Sequence, residues 1–346
     1  MVAQMKILLI GGNGFIGTPL AAELSQAGHQ LAIFHRHAAE RPANLVHIQG
    51  NRNRLPDSEA ALRSFAPDVI IDLILSSGEQ AQQLMKVSAS LACRVVALSS
   101  MDVYRAWGVA VGTEPGPLEP LPITEDSPLR TVRQVYPREH LKMMQGIFSW
   151  VDDHYDKIAV EQAIMKDQDA HATILRLPMI YGPGDPLHRL FPVVKRAADG
   201  RRSMIIPEDY AAWRAPRGFV ENVAYAIALA AATDRAAGRI YNVCEEPCLS
   251  ELAWRSHIAQ AMNWPIEFVP LPKERTPKHL WIPGNTAQHM LVTSDRIRNE
   301  LGYREPVPVA ESIRRTVAWE QQNPPALVVP QQFDYTAEDA ALVAAD

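Results

Sequence analysis

Three glycines at three-residue spacing follow the first apolar run of the chain, and this arrangement can bind a phosphate group. Lys6–Ile10 is mostly aliphatic and suits a strand buried on both faces. Gly11 allows a tight turn, Gly14 lets a backbone approach a pyrophosphate, and Gly17 lets the next helix pack closely on the sheet. The helix that begins near Thr18 directs unpaired N–H groups towards the anion. The sequence therefore predicts a pyrophosphate site.

The end of the second strand bears on which dinucleotide this site binds. An Asp or Glu about 20 residues after the glycines binds the ribose 2′-OH of NAD. Here Phe34, His35 and Arg36 end the strand, and no acidic residue occurs before Glu40. A carboxylate repels a 2′-phosphate, whereas a guanidinium donates two N–H groups to it. We therefore predict NADP, with Arg36 as the phosphate ligand and His35 nearby. The alternative is NAD, bound through main-chain contacts, with Arg36 a solvated charge.

The segment GGNGFIG at 11–17 resembles the extended short-chain dehydrogenase/reductase family, which includes nucleotide-sugar epimerases and dehydratases. The resemblance runs from about Lys6 to Trp319 and includes the segments Arg176–Asp185, Arg217–Ile227 and Gly238–Val243. It implies an NAD(P)-dependent oxidoreductase, epimerase or dehydratase. The implied substrate is nucleotide-sugar-like or a small carbonyl or hydroxyl compound.

In this family a Ser or Thr, a Tyr and a Lys act together. The Tyr is the acid/base, the Lys lowers the pKa of the phenol and holds the nicotinamide ribose, and the Ser binds the substrate oxygen. The segment SSMDVY at 99–104 resembles the SSxxVY segment of the family and places the catalytic hydroxyl at Ser100. Lys157 and Glu161 keep the K-x-x-x-E spacing of the catalytic helix.

The tyrosine departs from the Y-x-x-x-K pattern of the family. Asp153 stands four residues before Lys157, and Tyr155 stands only two before it, about 200° away on a regular helix. One hypothesis places Tyr155 ahead of the helix, on a bend that brings its hydroxyl into the cleft. A second gives the acid/base role to Asp153 or His154, and a third makes the protein a nucleotide-binding module without proton transfer. We favour the first. Further candidate phenols are Tyr104 and Tyr136.

Under the first hypothesis, Asp152 and Asp153 are good N-cap residues for the helix that follows. The Lys157 ammonium and the positive helix end would then both favour the phenolate form of Tyr155. We accordingly predict four catalytic candidates: Ser100, Tyr155, Lys157 and Asp153.

The remaining predicted contacts fall into two groups. The cofactor contacts are Gly11, Gly14, Phe15, Ile16, Gly17, His35, Arg36, Asn51, Leu73, Ser99, Lys157 and Pro178. Asn51 follows the third strand where family members place an Asp that reaches the adenine amine, and its amide oxygen can accept the same bond. The substrate contacts are Tyr104, Tyr181 and Arg217, since the region around Arg217 helps to hold the diphosphate in nucleotide-sugar enzymes. The histidines show no metal spacing, so we expect no metal.

The elements that position these residues alternate between apolar strands and amphipathic helices. The predicted strands are Lys6–Ile10, Gln30–Phe34, Val46–Gln49, Val69–Leu75, Arg94–Ser99, Ala172–Leu177 and Arg239–Val243. The predicted helices are Thr18–Ala27, Ser58–Phe65, Glu79–Ala92, Tyr155–Lys166, Leu190–Asp199, Phe219–Ala232, Ser250–Met262, Ser294–Leu301 and Val309–Gln321. This alternation predicts an α/β fold with a doubly wound parallel sheet. The proline-rich stretch Arg105–Val135 predicts a long ordered loop over its C-terminal edge.

The resemblance implies a discontinuous domain organisation. Residues 1–181 and 217–243 would form the NAD(P)-binding Rossmann domain, and residues 182–216 and 244–325 a smaller, mixed C-terminal substrate lobe. Residues 326–346 form a tail that is proline-bearing and then acidic and alanine-rich. We interpret this tail as a mobile or partner-docking extension.

The composition is that of an ordinary globular protein. Of 346 residues, 47% are apolar and 21% charged, and the net charge of −5 gives no general reason to expect nucleic-acid binding. No apolar run approaches the roughly 20 residues of a membrane span. The three cysteines indicate no disulfide framework, and the first strand begins almost at once, without a signal peptide. We therefore expect a cytoplasmic protein, with no membrane or nucleic-acid partner.

Two classes of function follow. The first is an enzyme with a small-molecule substrate, which the retained Ser100 and Lys157 favour. The second is a catalytically degenerate NADP-binding sensor or RNA-associated module, which the missing tyrosine four residues before Lys157 favours. The resemblance further implies a homodimer that pairs through two helices, one of which carries Lys157.

Overall fold

The computed structural model describes residues 4–36, 45–134, 136–166 and 171–343, and the structural statements below concern these residues. The strands are β1 (Lys6–Ile10), β2 (Gln30–His35), β3 (Val46–Gln49), β4 (Val69–Asp72), β5 (Arg94–Ser100), β6 (Ala172–Leu177), β7 (Met179–Tyr181), β8 (Ser203–Pro207), β9 (Arg217–Phe219), β10 (Arg239–Asn242) and β11 (Glu267–Leu271). Seven of them form one parallel sheet in the order β10-β6-β5-β4-β1-β2-β3. The others form two parallel pairs, β7 with β9 and β8 with β11.

The helices cover this sheet and are also numerous in the second half of the chain. They are α1 (Gly17–Gln26), α2 (Glu59–Phe65), α3 (Gly78–Leu91), α4 (Arg105–Ala110), α5 (Arg138–Ile147), α6 (Lys157–Ile164), α7 (Phe191–Ala198), α8 (Glu208–Ala211), α9 (Val220–Ala232), α10 (Glu251–Ala261), α11 (Asp295–Leu301), α12 (Val309–Gln322) and α13 (Tyr335–Val343). Short 3₁₀ turns lie at Arg52–Ser58, Met101–Val103, Asp234–Ala236, Lys278–Leu280 and Pro330–Phe333.

Strand β1 shows why the sheet is covered on both faces. Successive side chains of a strand point to opposite faces, so an all-apolar strand needs packing on each side. Ile7 and Leu9 belong to an apolar cluster with residues of α1 and α9. Leu8 and Ile10 belong to a second cluster with residues of α2, α3 and α6. The predicted α/β fold with a doubly wound parallel sheet is confirmed.

Two predicted elements near the site differ from those observed. Helix α6 begins at Lys157 rather than Tyr155, because the Asp156 carboxylate accepts the backbone amides of Ile158 and Ala159 at 3.0 and 3.1 Å. Asp156 therefore caps the helix, and the prediction of a cap at Asp152 or Asp153 is wrong. The stretch predicted as an ordered loop contains α4, while its last residue, Val135, lies outside the described residues. Helix α5 was not predicted.

The C-terminal tail packs against α7 rather than extending from the protein. Arg196 of α7 and Glu338 of α13 form an ion pair at 2.6 Å, with side chains 2% and 1% exposed. The Tyr335 hydroxyl donates to the Asp199 carboxylate at 2.5 Å. The interpretation of the described part of this tail as mobile is therefore wrong, because its helix is held by a buried pair of charges.

Candidate active site

The glycine loop between β1 and α1 has an open groove beside it. Gly11 has a φ of +89°, which L side chains rarely adopt. A Cβ on Gly17 would lie 2.5 Å from the Gly11 carbonyl oxygen, so only glycine lets α1 pack this closely. A Cβ on Gly14 would find no atom nearer than that oxygen, at 3.4 Å. Gly14 therefore faces open space, whereas Phe15 and Ile16 pack against the core.

A groove cavity of about 280 Å³ lies between the glycine loop, the end of β2 and the segment before α6. Its lining includes Gly11, Gly14, His35, Arg36, Arg52 and Trp150. Leu73 is 7% exposed and packs in the core after β4, and Pro178 is half-buried between β6 and β7. The groove therefore contains the predicted cofactor contacts Gly11, Gly14, His35 and Arg36. Leu73, by contrast, lies in the core after β4.

Arg36 is exposed and reaches across this groove. Its Nη2 donates to the Oγ of Ser149 at 3.0 Å and to the carbonyl oxygen of the same residue at 3.3 Å. The neighbouring His35 places Nε2 3.3 Å from Nδ1 of His47. The end of β2 therefore presents a guanidinium and an imidazole to the groove, while Glu40 lies outside the described residues.

The wall of the groove contains a buried ion pair that sequence reasoning missed. Arg52 Nε lies 2.7 Å from Asp72 Oδ2, with side chains 6% and 0% exposed, and Arg52 Nη2 donates to the Gln80 carbonyl at 3.0 Å. Burial raises the pKa of Asp72, and the Arg52 charge opposes this. Asn51, predicted to meet the adenine, uses its side-chain oxygen to accept the Asn53 amide at 3.0 Å. Arg52 rather than Asn51 lines the cavity.

Lys157 directs its side chain into the protein from the first turn of α6. Its Nζ donates to the carbonyl oxygens of Leu75 and Leu98, the latter at 3.1 Å. The same atom lies 5.3 Å from the ring centroid of Trp150 and 5.9 Å from that of Tyr155. Burial lowers the pKa of Lys157 to about 8, although nearby carboxylates oppose this shift. The ammonium is therefore buried in the protein rather than exposed to bulk solvent.

Three side chains contact Asp102 at the end of β5. The Tyr155 hydroxyl donates to Asp102 Oδ2 at 2.9 Å, and the Tyr136 hydroxyl donates to the same oxygen at 3.1 Å. Ser100 Oγ accepts the Asp102 amide at 3.1 Å and is also a hydrogen-bond partner of the Tyr155 phenol. Tyr155 lies ahead of α6, as the first hypothesis requires. The structure thus brings Ser100, Tyr155 and Lys157 together.

The electrostatics of this cluster keep the phenols neutral. Burial, followed by the Asp102 charge, raises the pKa of Tyr155 well above its ordinary value, and the same causes raise the pKa of Tyr136. The effect of Lys157 on the phenol stays a prediction, because burial and the Asp102 charge are the largest influences on the pKa of Tyr155. Burial also raises the pKa of Asp102, and the Arg130 charge opposes that shift. Tyr155 consequently presents a proton rather than a negative charge.

Asp153 lies on the surface beside this cluster. Its Oδ1 accepts a hydrogen bond from Gln145 of α5 at 2.9 Å. Asp153 and the exposed His154 line a cavity of about 770 Å³ beneath α5, and the rings of Tyr136 and Tyr155 line it too. Asp153 thus forms its hydrogen bond with α5 and not with the group of side chains around Asp102. The structure therefore does not support the hypothesis that Asp153 is the acid/base.

A buried polar network fixes α6 behind the cluster. Ser99 Oγ donates to Glu161 at 2.6 Å, and Arg176 donates to both Glu161 oxygens at 2.9 and 2.7 Å. Arg176 also donates to the Tyr104 hydroxyl at 2.9 Å, which in turn donates to Asn242 at 2.6 Å. Ser99 and Tyr104 therefore face the interior. The predicted contacts of Ser99 with the cofactor and of Tyr104 with the substrate do not match these positions, because the Ser99 hydroxyl binds α6 and the Tyr104 hydroxyl binds β6 and β10.

The predicted substrate contacts of the second half lie at a smaller cavity of about 200 Å³. Tyr181 is 1% exposed and its hydroxyl donates to Glu245 at 3.0 Å, so only its ring borders the cavity. Arg217 forms an ion pair with Glu251 and stacks on the Trp254 ring, 4.6 Å from its centroid. Arg217 therefore lines the cavity with its positive charge already paired with the Glu251 carboxylate.

The described residues contain neither a metal-binding cluster nor a helix able to span a membrane. Within the ranges 4–36, 45–134, 136–166 and 171–343, no three His, Cys, Asp or Glu side chains come together as a metal-binding group would. Over the same ranges, no helix combines the length and the apolar character needed to cross a membrane.

Known structures share this fold over almost the whole chain. WbmG of Bordetella bronchiseptica, in complex with NAD and UDP, aligns with a TM-score of 0.67 at 18% identity, covering 95% of this chain and 100% of its own. The Thermotoga maritima UDP-glucose 4-epimerase with UDP-glucose aligns with a TM-score of 0.66 at 15% identity, covering 92% and 99%. The dTDP-glucose 4,6-dehydratase of Bacillus anthracis in complex with NAD gives 0.64 at 15% identity, covering 92% and 97%.

Sequence comparison adds a curated relative and a family. The 2-alkyl-3-oxoalkanoate reductase of Stenotrophomonas maltophilia (strain K279a) is 29% identical over 209 residues, which is 58% of this chain and 58% of the relative. The chain thus spans little more than half the length of that relative. The model of the NAD dependent epimerase/dehydratase family matches residues 7–244, which include the glycine loop and α6. The resemblance inferred from the motifs is confirmed, and the chain belongs to the NAD dependent epimerase/dehydratase family.

Proposed function

We propose that the protein is an NADP-dependent reductase that converts a small carbonyl compound to an alcohol. The observation that carries this proposal is the Tyr155 phenol, held neutral beside Ser100 and Asp102 with the Lys157 ammonium 5.9 Å from the centre of its ring. A carbonyl oxygen that gains electron density needs a proton donor, and a neutral phenol is one.

The groove fits a dinucleotide. Gly14 faces open space at the N-terminus of α1, where a pyrophosphate would receive backbone N–H groups, while Arg36 is free to exchange Ser149 for a 2′-phosphate. Lys157 would hold the nicotinamide ribose. When bound, the reduced nicotinamide supplies the hydride. We propose NADP because the end of β2 presents cations, although the solved relatives named above contain NAD.

The chain's own residues then handle the carbonyl oxygen. Ser100 donates one hydrogen bond to that oxygen and orients it. Tyr155 donates its proton to the oxygen as the negative charge develops there, and Lys157 stabilises this charge at short range. The raised pKa of Tyr155 makes the phenolate scarce, which disfavours the opposite reaction because alcohol oxidation needs a base. The reductase among the relatives agrees with this direction.

The second cavity favours a small substrate. Arg217 is paired with Glu251, and Arg189 is paired with Asp185 at 2.7 Å, so little positive charge remains for a diphosphate. A nucleotide-sugar is the second candidate, because relatives bind UDP or UDP-glucose and because three arginines border this cavity: Arg189, Arg217 and Arg255.

The test is NADPH consumption by the purified protein with 3-oxooctanoate, benzaldehyde and UDP-4-keto-glucose as separate substrates. We expect reduction of one of the first two, and loss of turnover in Tyr155→Phe with NADPH affinity unchanged. Tyr225→Phe is the matched control, because that ring stacks on Tyr303 away from the cleft. Tight NADPH binding without turnover of any of the three would instead favour the sensor or RNA-associated module.

The homodimer stays a prediction. Light scattering of the purified protein would measure its mass in solution, and a monomer at micromolar concentration would contradict it.

A further inference from the structure

Asp102 differs from an ordinary buried carboxylate in how its two oxygens are used. Its Oδ2 accepts both the Tyr155 and the Tyr136 hydroxyls, at 2.9 and 3.1 Å. Its Oδ1 accepts no hydrogen bond among the described residues. The two phenols are therefore joined through one oxygen atom, and a proton that leaves one of them can be replaced from the other through that atom.

The charges around Asp102 leave it able to gain and lose a proton. Arg130 Nη2 lies 3.9 Å from Oδ1, too far for a hydrogen bond, and Arg130 Nε is used by the main-chain oxygen of Asp102. The Lys157 ammonium also acts on the carboxylate from α6, although its hydrogen bonds go to backbone carbonyls. From the remaining packed elements, Tyr155, Tyr136 and Ser100 contact Asp102 as neutral groups.

The cavity beneath α5 gives this cluster access to water. Its lining includes the half-buried rings of Tyr136 and Tyr155 together with the exposed Arg138, Lys142 and His154. Helix α5 has no buried residue among those that the structure describes. It therefore covers the cavity without filling it. Water in the cavity can thus reach the Tyr136 side of the cluster.

We propose that Asp102 is a positioning residue that returns a proton to Tyr155 after each reduction, and that Tyr136 passes this proton on from water in the cavity beneath α5. The proposal rests on the proposed reductase function. As the hydride reaches the carbonyl carbon, the O–H bond of Tyr155 breaks and a new O–H bond forms on the substrate. A proton then moves from Tyr136 to Asp102 Oδ2 and from Oδ2 to Tyr155. Water restores the Tyr136 proton, so one solvent proton is consumed for each alcohol formed.

The test compares wild type, Asp102→Asn, Tyr136→Phe and the double variant in NADPH-dependent reduction of 3-oxooctanoate or benzaldehyde, whichever the wild type reduces. We expect kcat to fall about tenfold or more in Asp102→Asn and less in Tyr136→Phe, with KM for NADPH unchanged. The double variant should be no slower than Asp102→Asn alone, because both changes interrupt one path. Formate added to Asp102→Ala, where the truncated side chain leaves space for it, should restore part of kcat in proportion to its concentration, which a purely structural defect would not show.

A second measurement needs no substrate. Ultraviolet difference titration follows phenol ionisation, and we expect two tyrosines to ionise at lower pH in Asp102→Asn because the neighbouring negative charge is gone. An unchanged titration, or a double variant slowed by the product of the two single effects, would overturn the relay. The reductase function is judged separately, since wild-type turnover and an inactive Tyr155→Phe stand whether or not Asp102 matters.

Discussion

The two glycines Gly14 and Gly17 allow a test that separates cofactor binding from folding. In Gly14→Ala the new Cβ meets only the Gly11 carbonyl oxygen, at 3.4 Å, an ordinary contact distance, and the backbone there does not have a positive φ. The folded protein should therefore lose no stability. If a pyrophosphate lies against Gly14, the methyl group displaces it and weakens charge-assisted hydrogen bonds of about 1.5–3 kcal/mol each. We expect NADPH affinity to fall roughly 10- to 150-fold.

Gly17→Ala is the contrasting variant. Its Cβ would lie 2.5 Å from the Gly11 oxygen and 2.5 Å from the Gly12 carbonyl carbon, both backbone atoms that cannot rotate away. Overpacking of this kind costs about 1–3 kcal/mol, so we expect a lower melting temperature as well as weaker cofactor binding. Calorimetric titration with NADPH and a thermal melt of each variant make the comparison. Wild-type affinity in Gly14→Ala would refute the placement of the pyrophosphate.

Three further outcomes are expected. Arg36→Ala should weaken NADPH binding about tenfold and leave NADH binding nearly unchanged, measured by titration, because only the former carries a 2′-phosphate. The kcat should fall as pH rises through about 8, where buried Lys157 loses the proton that it keeps at lower pH, and a pH–rate profile measures this. Glu338→Gln should cost about 3–5 kcal/mol in urea unfolding, because it leaves the buried Arg196 charge unpaired.

Each of these has a control or a contradicting result. Equal affinities of the wild type for NADH and NADPH would exclude the role of Arg36. A flat profile between pH 7 and 9 would show that the ammonium of Lys157 is not needed. For the tail, Asp339→Asn is the matched control. The Asp339 side chain, which pairs with Arg201, is 58% exposed, so this pair should contribute at most about 1 kcal/mol to stability.

The sheet and the glycine loop were predictable because local patterns determine them. Each central strand is a short apolar run bounded by turn residues, and the glycines at 11–17 report a requirement of the backbone itself. The spacing of Lys157 and Glu161 also gave the correct face of α6, since both side chains turn inward there. In these cases residues close in sequence determine the local structure.

The Asp102 cluster was not predictable in the same way. Tyr136 and Tyr155 lie 34 and 53 residues from the aspartate that they share, and no periodicity links them. The start of α6 depended on one carboxylate, Asp156, in a run of three aspartates and a histidine around Tyr155, where each aspartate was an acceptable cap. The pairing of Arg217 with Glu251 likewise joins separate elements, so the sequence showed only an arginine available to a substrate.

The buried network behind α6 limits how the chain can be shortened. The Tyr104 hydroxyl finds its acceptor on Asn242, 138 residues later, and β10 completes the edge of the sheet beside β6. A fragment that ends at residue 181 would contain the glycine loop, Ser100 and Lys157, yet it would leave that phenol without its acceptor and β6 as an open edge. A minimal catalytic unit must therefore retain residues 239–242, and in a chain still being synthesised the Tyr104 hydroxyl gains its Asn242 acceptor only after that strand is complete.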